Sequence, residues 1–543
     1  MASAGTGHRV ALRPARGHVR ERLVVDDRDS LARVLEDAAH YPGGFARGVA
    51  SPTSEAEVAA LFALGIPLLP IGAQSSLTGG ATPRGEVVVS TVHLADCRVA
   101  TDRVTVGAGL PLDEVQRVLA ERGRWYPPVP TYTAACAGGV VATNAAGPAT
   151  FKHGPTRPWV HALTVVLPSG RVLDVERGQV VAHPDGFFEF VSGGTVDRIP
   201  IPRLALPRVP KCSAGYAGAP GMDLVDLFVG SEGTLGIVTE ITFATATAPA
   251  ATFGAMIPVS DEGLAWRVVE RLRAASRHTW ATGDPNGIDV ASIEHLDARS
   301  IALARADGAD ARARLVLEPT TAVVLFAEFE AARPLSPEAA WRQVEDALGE
   351  GGADGPVTRL CRLLAEDDVL DATELALPGD LARRDQFRAV REAVPEAVNR
   401  RVALARAADP RVSKTAADVI VPVDRFEALM RACRAGFEAR GLDYAVWGHV
   451  SDGNVHPNVI PRGFDDVVAG REAVLELGRA AISLGGSPLA EHGVGRNAVK
   501  QELLRLLHGE AGLASMLAVK RAIDPDGRLA PGVLFPGGSA APA

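Results

Sequence analysis

Cysteine is scarce in this sequence. The 543 residues include five cysteines, which lie far apart, and no two of them form a CxxC pair. This usage disfavours a disulfide framework and an iron–sulfur cluster within the chain, and it indicates a reducing compartment, the cytoplasm. The cysteines are Cys97, Cys136, Cys212, Cys361 and Cys433.

Long apolar runs and runs of like charge are also missing. No stretch reaches the roughly 18 apolar residues of a transmembrane helix, so we expect no transmembrane segment and leave peripheral contact with a membrane open. The net charge is -9, and without a basic patch nucleic acid is not an expected partner. A homodimer stays open, because composition does not address it.

The length of the chain predicts two or three domains, since 543 residues are too many for one hydrophobic core. The N-terminus carries Arg9, Arg13, Arg16 and Arg20, with no acidic residue before Glu21. This pattern favours a loose basic tail over a transit peptide.

Residues 447–456 (WGHVSDGNVH) predict a β-hairpin that presents two histidines. Asp452-Gly453 is a strong signal for a two-residue type I′ turn, which needs positive φ at both central residues. Counting outward from that turn pairs His449 with His456 across the ribbon. Their Cβ atoms would then lie about 5 Å apart on one face.

Residues 490–496 (AEHGVGR) offer a carboxylate and a third imidazole. His449, His456 and Glu491 would form a catalytic type of metal site with an open position, most simply for Zn²⁺. The alternative is that these histidines only pack or form hydrogen bonds. Glu491 and His492 are neighbours and reach one site only if the chain bends at Gly493.

Two glycine-rich segments in the first half predict a site built largely from backbone. Residues 72–80 (GAQSSLTGG) follow a short strand, and such a loop can turn its N–H groups towards an anion or be a plain turn. Residues 137–147 are small and would let a flat ligand approach closely, or would allow close helix packing. Neither segment is a Walker A loop or a dinucleotide-binding fingerprint.

The coarse element pattern is α+β. It predicts helices over 54–62, 112–122, 263–275, 293–305, 338–348, 426–435, 467–484, 500–507 and 513–523, and strands over 67–71, 87–91, 104–107, 162–168, 171–175, 239–244, 253–259, 322–329 and 418–422.

Residues 51–246, which include the two glycine-rich segments in this order, resemble the FAD-binding domain of the vanillyl-alcohol-oxidase/PCMH flavoprotein superfamily. Within it the sequence is most similar to the FAD-linked D-2-hydroxy-acid dehydrogenases, which include D-lactate dehydrogenase, the glycolate oxidase D subunit and D-2-hydroxyglutarate dehydrogenase. Covalent members carry a histidine in the glycine loop, and residues 72–80 have none. The resemblance therefore implies non-covalent FAD.

The resemblance also implies which residues bind FAD. The glycine loop would hold the diphosphate, and the later motifs would line the flavin and adenosine. The implied residues are Pro70, Gly72, Ala73, Gln74, Ser75, Ser76, Leu77, Pro130, Gly138, Gly139, Thr143, Asn144, Gly147, Glu232, Gly233 and Ile237.

The second half would supply the substrate site. Arg391, in 388–399, matches the family's substrate arginine, and Lys414 is a second candidate, although it lies four residues before Asp418 rather than two. The expected architecture is an α+β chain with two α+β subdomains around FAD, an α/β cap and a C-terminal helical segment. The expected boundaries are 1–45 (extension), 46–248 (PCMH-type FAD-binding domain), 249–442 (cap), 443–536 (metal site and helices) and 537–543 (disordered tail).

The expected activity is oxidation of a D-2-hydroxy acid by hydride transfer to flavin N5. A divalent metal would bind the substrate oxygens, His492 would act as the base, and electrons would pass to a quinone, a cytochrome, an electron-transfer flavoprotein or an iron–sulfur subunit. A non-redox transferase like the alkylglycerone-phosphate synthases and a non-catalytic flavoprotein are the alternatives. Asp452 and Asn454 are interpreted as turn residues rather than as partners of the imidazole rings.

Overall fold

The computed structural model describes residues 7–349, 352 and 354–536. The predicted tail, 537–543, lies outside the described residues.

The first region, up to residue 248, is a mixed α+β unit. Its strands are β1 (Arg9–Ala11), β2 (Arg13–Pro14), β3 (Val24–Val25), β4 (Gly48–Ala50), β5 (Leu68–Ile71), β6 (Val87–Ser90), β7 (Cys97–Val99), β8 (Arg103–Gly107), β9 (Arg124–Trp125), β10 (Val160–Val166), β11 (Arg171–Glu176), β12 (Phe187–Ser192), β13 (Thr195–Pro200), β14 (Ile237–Ala244) and β15 (Ala246–Thr247). Its helices are α1 (Arg28–Ala32), α2 (Glu55–Ala63), α3 (Leu112–Ala120), α4 (Ala137–Thr143), α5 (Thr150–His153) and α6 (Leu224–Phe228).

Two sheets divide this region into two subdomains. One sheet has the order β3-β4-β6-β5, with β4, β6 and β5 parallel, and the other has the order β2-β11-β10-β14-β8-β7. In β14 buried and half-buried residues alternate, because one face of the strand packs on the core. The α+β class, with two subdomains in the first region, is confirmed.

The N-terminal segment is not the loose basic tail that its arginines suggested. Strand β1 pairs with β12, β2 with β11 and β3 with β4, so the segment completes sheets of the first region. Arg13 Nη1 lies 2.6 Å from Glu55 Oε1, and Arg20 Nε lies 2.5 Å from Glu57 Oε1. Arg13 and Arg20 thus form ion pairs with two glutamates of α2. The charges of the N-terminal segment alone do not reveal these pairs.

The second region contributes β16 (Ala251–Val259), β17 (Val290–Asp297), β18 (Val323–Ala331), β19 (Glu374–Ala376), β20 (Val419–Ile420), β21 (Tyr444–His449) and β22 (Asn454–Val459). Its helices are α7 (Glu262–Thr282), α8 (Ala298–Ala306), α9 (Ala309–Ala313), α10 (Pro337–Leu348), α11 (Pro356–Glu366), α12 (Leu381–Ala408), α13 (Phe426–Glu438), α14 (Phe464–Ser483) and α15 (Ala498–Ile523). Short 3₁₀ turns occur at Arg157–Trp159 and Val423–Arg425.

One antiparallel sheet, in the order β19-β16-β18-β17-β21-β22-β20, carries the histidine hairpin. The sheet joins strands from both sides of position 442/443, where the sequence analysis set a boundary, so the hairpin packs as part of the cap. The helices predicted over 500–507 and 513–523 are the two halves of α15, which breaks at Gly509.

The predicted hairpin register is wrong by two residues. His456 pairs with Trp447 rather than with His449, and the turn is a longer one in which Asp452 does not have positive φ. The turn is held from outside, because Ser451 exchanges backbone and side-chain hydrogen bonds with Ile293 of β17. A shift of two residues preserves the face on which each side chain lies, so the histidines still meet.

The predicted helix over 293–305 is wrong in its first part. Residues up to Asp297 form β17, and the helix α8 begins only at Ala298. Every residue of β17 is buried, including Glu294 and His295. A fully buried strand is usually recognised by an unbroken run of apolar residues. Glu294 and His295 interrupt that run, so the strand was not predicted.

None of the helices within the described ranges is long and apolar enough to cross a membrane.

His295 makes the stability of the cap sensitive to acid. Its ring is fully buried beside Trp266 and Phe426, and neither ring nitrogen has a hydrogen-bond partner among the described residues. Burial lowers the pKa of His295 to about 4. The unfolded chain therefore takes up the proton first as the pH falls.

We expect His295→Leu to remove this acid sensitivity. Between about pH 6.5 and pH 4 the wild-type ring should cost up to roughly 3 kcal/mol of folding free energy, whereas the variant should show no such loss. Denaturation midpoints at pH 7.5 and pH 5 measure the difference, with the exposed His278→Leu as the matched control. Equal pH slopes for His295→Leu and the wild type would contradict the assignment.

Candidate functional site

A cleft of about 310 Å³ lies in the first region, with Glu491 and His492 of the second region in its wall. Its walls come from the glycine loop after β5, from α4 and from the segment before β14. Most of the residues expected to bind FAD line it: Pro70, Gly72, Ala73, Gln74, Ser75, Ser76, Leu77, Pro130, Gly138, Gly139, Thr143, Glu232, Gly233 and Ile237.

Two of the expected cofactor residues have structural positions instead. Asn144 ends α4 with φ 49°, and its side-chain oxygen accepts a hydrogen bond from the Arg157 backbone N–H. Gly147 approaches Val129 so closely that a Cβ there would lie 2.0 Å from the Val129 carbonyl oxygen. The sequence analysis also missed lining residues, including Tyr132 and Cys136.

The cleft fits FAD on two observations. The backbone N–H groups of Gln74, Ser75, Ser76 and Leu77 donate to no other residue in the described part of the chain, as expected of an anion-binding loop. On α4, a Cβ built on Gly139 would meet no protein atom within 4 Å. The wall is therefore open where a flat ring needs close approach.

Gly139→Ala should have opposite effects on the folded chain and on the cofactor. Alanine stabilises a helix interior by about 0.5–1 kcal/mol over glycine, so the FAD-free protein should become slightly more stable. The added methyl group projects into the cleft, so FAD retention should fall. Gly436→Ala, at a helical glycine of α13 that is also free of neighbours within 4 Å, is the control, and unchanged FAD content in Gly139→Ala would contradict the placement.

Three imidazoles converge on one carboxylate oxygen at the end of this cleft. The Nε2 atoms of His449, His456 and His492 lie 3.5, 3.2 and 3.4 Å from Glu491 Oε1. The rings of His449 and His456 have centroids 5.4 Å apart, and His456 stacks on His492 at 4.9 Å. Glu491 and His492 also line the FAD cleft, so the two sites are contiguous.

The Nδ1 atoms of the same rings face two other carboxylates. His449 Nδ1 lies 2.7 Å from Glu294 Oε1, whereas His456 and His492 each place Nδ1 3.4 Å from Asp418. Metal-binding histidines usually have such a carboxylate on the nitrogen that does not bind the metal. Each ring is therefore oriented with Nε2 towards Glu491.

The 490–496 segment bends as the sequence analysis required. The backbone N–H groups of Glu491 and His492 both donate to Asp418 Oδ2 at 2.9 Å. Gly493 follows with φ +74°, a conformation that glycine adopts readily. The next two N–H groups donate to Glu232 at 2.8 Å. Successive N–H groups thus bind the carboxylates of Asp418 and Glu232, which turns both side chains to one site.

A buried lysine holds the other oxygen of Glu491. Lys211 Nζ lies 2.8 Å from Glu491 Oε2 and 3.0 Å from Asp452 Oδ2, and all three side chains are at least nine-tenths buried. Asp452 is therefore more than a turn residue. Asn454 also reaches the site, because its amide donates to Asp418 Oδ1 at 3.2 Å.

The two substrate candidates differ in position and environment: Arg391 lies on α12, and Lys414 lies in the segment between α12 and β20. Arg391 Nε lies 3.1 Å from Glu294 Oε2, which joins this guanidinium to the carboxylate on His449. Lys414 instead donates to Asn399 at 2.9 Å, and burial of its ammonium lowers its pKa to about 8. The structure brings Arg391 to the imidazole cluster and shows no contact of Lys414 with it.

The charged groups of the cluster shift one another's pKa values. Burial opposes ionisation of Glu491 and Asp418, but nearby cations and imidazoles outweigh it and hold both pKa values well below the usual range. Burial also opposes the charge on His449, yet Glu294 raises the pKa of this ring to about 9. For His492 burial prevails over Asp418, and the pKa is lowered.

The donor set suits a divalent cation. His449, His456 and Glu491 bring one ligand atom each within 4.8 Å of one another, and two imidazoles with one carboxylate are a usual set for Zn²⁺ and neighbouring metals. A second set, Asp418 with His456 and His492, is equally compact. Each set includes a carboxylate beside a lysine ammonium, with Lys211 Nζ 2.8 Å from Glu491 and Lys500 Nζ 3.9 Å from Asp418.

Sequence reasoning missed several of these residues. Glu294 was hidden by the wrong helix over 293–305, and Lys211 lies in a loop with no motif around it. Asp418 was read only as the start of a strand. The one local signal for it was a lone acid before an apolar run, which marks many strands and no particular site.

Comparison with known proteins identifies two domains in the chain. Residues 46–176 match the family described as FAD binding domain, and residues 269–534 match FAD linked oxidases, C-terminal domain. The chain belongs to the FAD-linked oxidases.

The similar proteins place it within that class. It is 27% identical over 521 residues to D-2-hydroxyglutarate dehydrogenase of Xanthomonas citri pv. viticola (92% of this chain, 93% of the relative) and 26% identical over 525 residues to D-lactate dehydrogenase of Anaerostipes hadrus (94% of each). It is 26% identical to glycolate oxidase subunit GlcD of Bacillus subtilis over 87% of this chain and 84% of the relative. The chain is therefore an FAD-linked oxidoreductase of the type to which these three proteins belong.

A solved structure supports the fold. An alkyldihydroxyacetonephosphate synthase superposes with a TM-score of 0.60 at 14% identity, covering 96% of this chain and 88% of that one. At this identity the likeness concerns the fold alone.

Proposed function

We propose that the protein oxidises a D-2-hydroxy acid of the lactate, glycolate or 2-hydroxyglutarate class to the 2-oxo acid. One observation carries the proposal: Glu491 and His492 belong both to the wall of the FAD cleft and to the imidazole cluster. A substrate held at the cluster would thus lie beside the cofactor. Bound FAD supplies a hydride acceptor.

In this proposal Arg391 binds the substrate carboxylate. Its Nε is engaged by Glu294, while its two terminal nitrogens donate to no other residue in the described part of the chain. A guanidinium presents a planar pair of donors that matches a carboxylate. Glu294 would hold the side chain in place. Lys414 is the second candidate for binding the substrate carboxylate. Its pKa of about 8 leaves the ammonium largely protonated at neutral pH, as this role requires.

His449, His456 and Glu491 would hold a divalent metal, most simply Zn²⁺. Such an ion supplies Lewis acidity towards the hydroxyl and carboxylate oxygens of the substrate. Lys211 keeps one oxygen of Glu491 occupied, so a single carboxylate oxygen faces the imidazoles.

His492 would accept the hydroxyl proton. Its side chain is 26% exposed, because it faces the cleft, while His449 is 1% exposed. It is therefore the ring of the cluster that a substrate can reach. Its Nδ1 is directed to Asp418, which leaves Nε2 to take the proton.

Anaerobic flavin reduction tests the function. The full-length protein is mixed with a panel of D- and L-2-hydroxy acids, with and without a chelator. The expected result is bleaching of the flavin by D-acids, lost on chelation and restored by Zn²⁺ or another divalent ion. A preparation that binds no FAD, or a flavin that no 2-hydroxy acid reduces, would refute the proposal.

Two further arms of the experiment extend the result. Turnover with a quinone, a cytochrome, an electron-transfer flavoprotein or an iron–sulfur protein identifies the class of electron acceptor. Activity on an acylated glycerone phosphate without reduction of any acceptor would favour the transferase alternative instead.

A further inference from the structure

We propose that Asp418 is a positioning residue that sets the tautomers of His456 and His492. It would place the proton of both rings on Nδ1 and leave both Nε2 atoms free for a metal and for the substrate proton. The inference rests on the proposed function for its purpose, but the arrangement of the residues can be tested without any turnover.

Asp418 divides its two oxygens between the two rings. Oδ1 lies 3.4 Å from His456 Nδ1 and accepts the Asn454 amide at 3.2 Å. Oδ2 lies 3.4 Å from His492 Nδ1. The carboxylate is 1% exposed, so water does not compete for these oxygens.

The distance of 3.4 Å between Asp418 Oδ1 and His456 Nδ1 is long for a hydrogen bond. This nitrogen has no partner of hydrogen-bond geometry among the described residues. A buried N–H without an acceptor costs about 1–3 kcal/mol. Asp418 Oδ1 is the acceptor beside this nitrogen. A small rotation of the ring would complete the bond, and the other nitrogen would then carry a lone pair towards Glu491.

Asp418 also shapes the loop that carries the base. Oδ2 accepts the backbone N–H groups of Glu491 and His492 at 2.9 Å each. One carboxylate therefore positions a metal ligand, the base and the backbone of a second ligand. Lys500 is also buried, and its ammonium lies 3.9 Å from Oδ2, beyond hydrogen-bond distance.

The neighbours predict what Asp418→Asn would do to each ring. Two backbone N–H groups at 2.9 Å require an acceptor at the Oδ2 position, against one Asn454 amide at 3.2 Å from Oδ1, so the amide oxygen should lie at the Oδ2 position. The NH₂ group then faces His456 Nδ1, which must accept, and the proton of His456 moves to Nε2. His492, on the oxygen side, should keep its proton on Nδ1.

The test uses the FAD-containing full-length protein after removal of metal. ¹⁵N-histidine NMR should show His456 and His492 as Nδ1–H tautomers in the wild type, and His456 alone as Nε2–H in Asp418→Asn. Zn²⁺ affinity should fall 10–100-fold, FAD content should not change, and flavin reduction should recover at high Zn²⁺. A merely structural loss would not be rescued by the metal.

Asp297→Asn is the matched control. Asp297 is also a buried aspartate of this domain, but it accepts the Ser300 N–H at 2.8 Å and caps α8 without touching an imidazole. This variant should change neither tautomer nor Zn²⁺ affinity.

Nε2–H tautomers of both rings in the wild type would overturn the inference, even if Asp418→Asn did not fold. So would a variant with an unchanged His456 tautomer and unchanged Zn²⁺ affinity. Failure of the proposed function looks different: the wild type would bind no Zn²⁺ and no 2-hydroxy acid would reduce the flavin, while the tautomer result would still decide the role of Asp418.

Discussion

Lys211→Met is expected to destabilise the protein by about 3–5 kcal/mol, the usual effect of removing one partner from a buried ion cluster. Asp452 and Glu491 would lose their shared counter-charge in a site with little water, since their side chains are 0% and 9% exposed. Burial opposes the charge on Lys211, but both carboxylates outweigh it and raise its pKa. The lysine therefore stays charged across the physiological range.

Denaturation of the metal-free protein measures the effect. Because the chain has several domains, unfolding need not be two-state, and the transition that exposes Trp447 should be the one that shifts. Adding Asp452→Asn and Glu491→Gln removes the uncompensated charges and should recover much of the stability. A wild-type midpoint for Lys211→Met alone would show that the ammonium is not needed to balance these carboxylates.

Lys500→Met offers the contrast with another buried lysine. Burial lowers the pKa of Lys500 despite the nearby Asp418, so its ammonium is poorly compensated. Its replacement should cost far less stability than that of Lys211. Equal losses for the two lysines would show that burial rather than pairing governs the effect.

His492→Ala is expected to slow substrate-dependent flavin reduction by about 10²–10⁴-fold, the usual contribution of a general base. Its side chain lines the cleft, and the variant removes the proposed base. FAD content and metal content should not change. Single-turnover reduction under anaerobic conditions measures the step without interference from the electron acceptor.

His449→Ala separates the base from a ligand. That ring is one of the proposed metal ligands and is buried away from the cleft, so this variant should lose metal and activity together. If His492→Ala loses metal as His449→Ala does, then His492 is a ligand rather than a base. If it turns over at the wild-type rate, the proton goes elsewhere.

The wall of the cleft that we propose binds FAD was largely predictable, because it consists of local features. The glycine loop and the small residues of α4 are contiguous in sequence, and backbone N–H groups face a ligand wherever such a loop folds. Asn144 and Gly147 were expected in the cleft wall from the same reasoning but do not line it. Both follow the same motif, yet one caps a helix and the other packs against Val129.

The imidazole pair was predicted through a wrong register. Asp452-Gly453 indicated a two-residue turn, but Ser451 is bound to β17 and the turn is longer. The register was wrong by two residues, and side chains on a strand alternate with a period of two. His449 and His456 therefore lie on one face, as predicted.

The amino-acid order was thus enough to predict the glycine loop of the cleft wall and the imidazoles and carboxylate that meet in the cluster, because each prediction depends on neighbours a few residues apart. The partners that orient them depended on packing. Glu294 lies in the buried strand β17, Lys211 in a loop of the first region and Asp418 just before the short edge strand β20. Each lies more than 70 positions from a residue that it contacts. No local pattern encodes those pairings, since a buried charge finds its counter-charge only when separate elements are brought together.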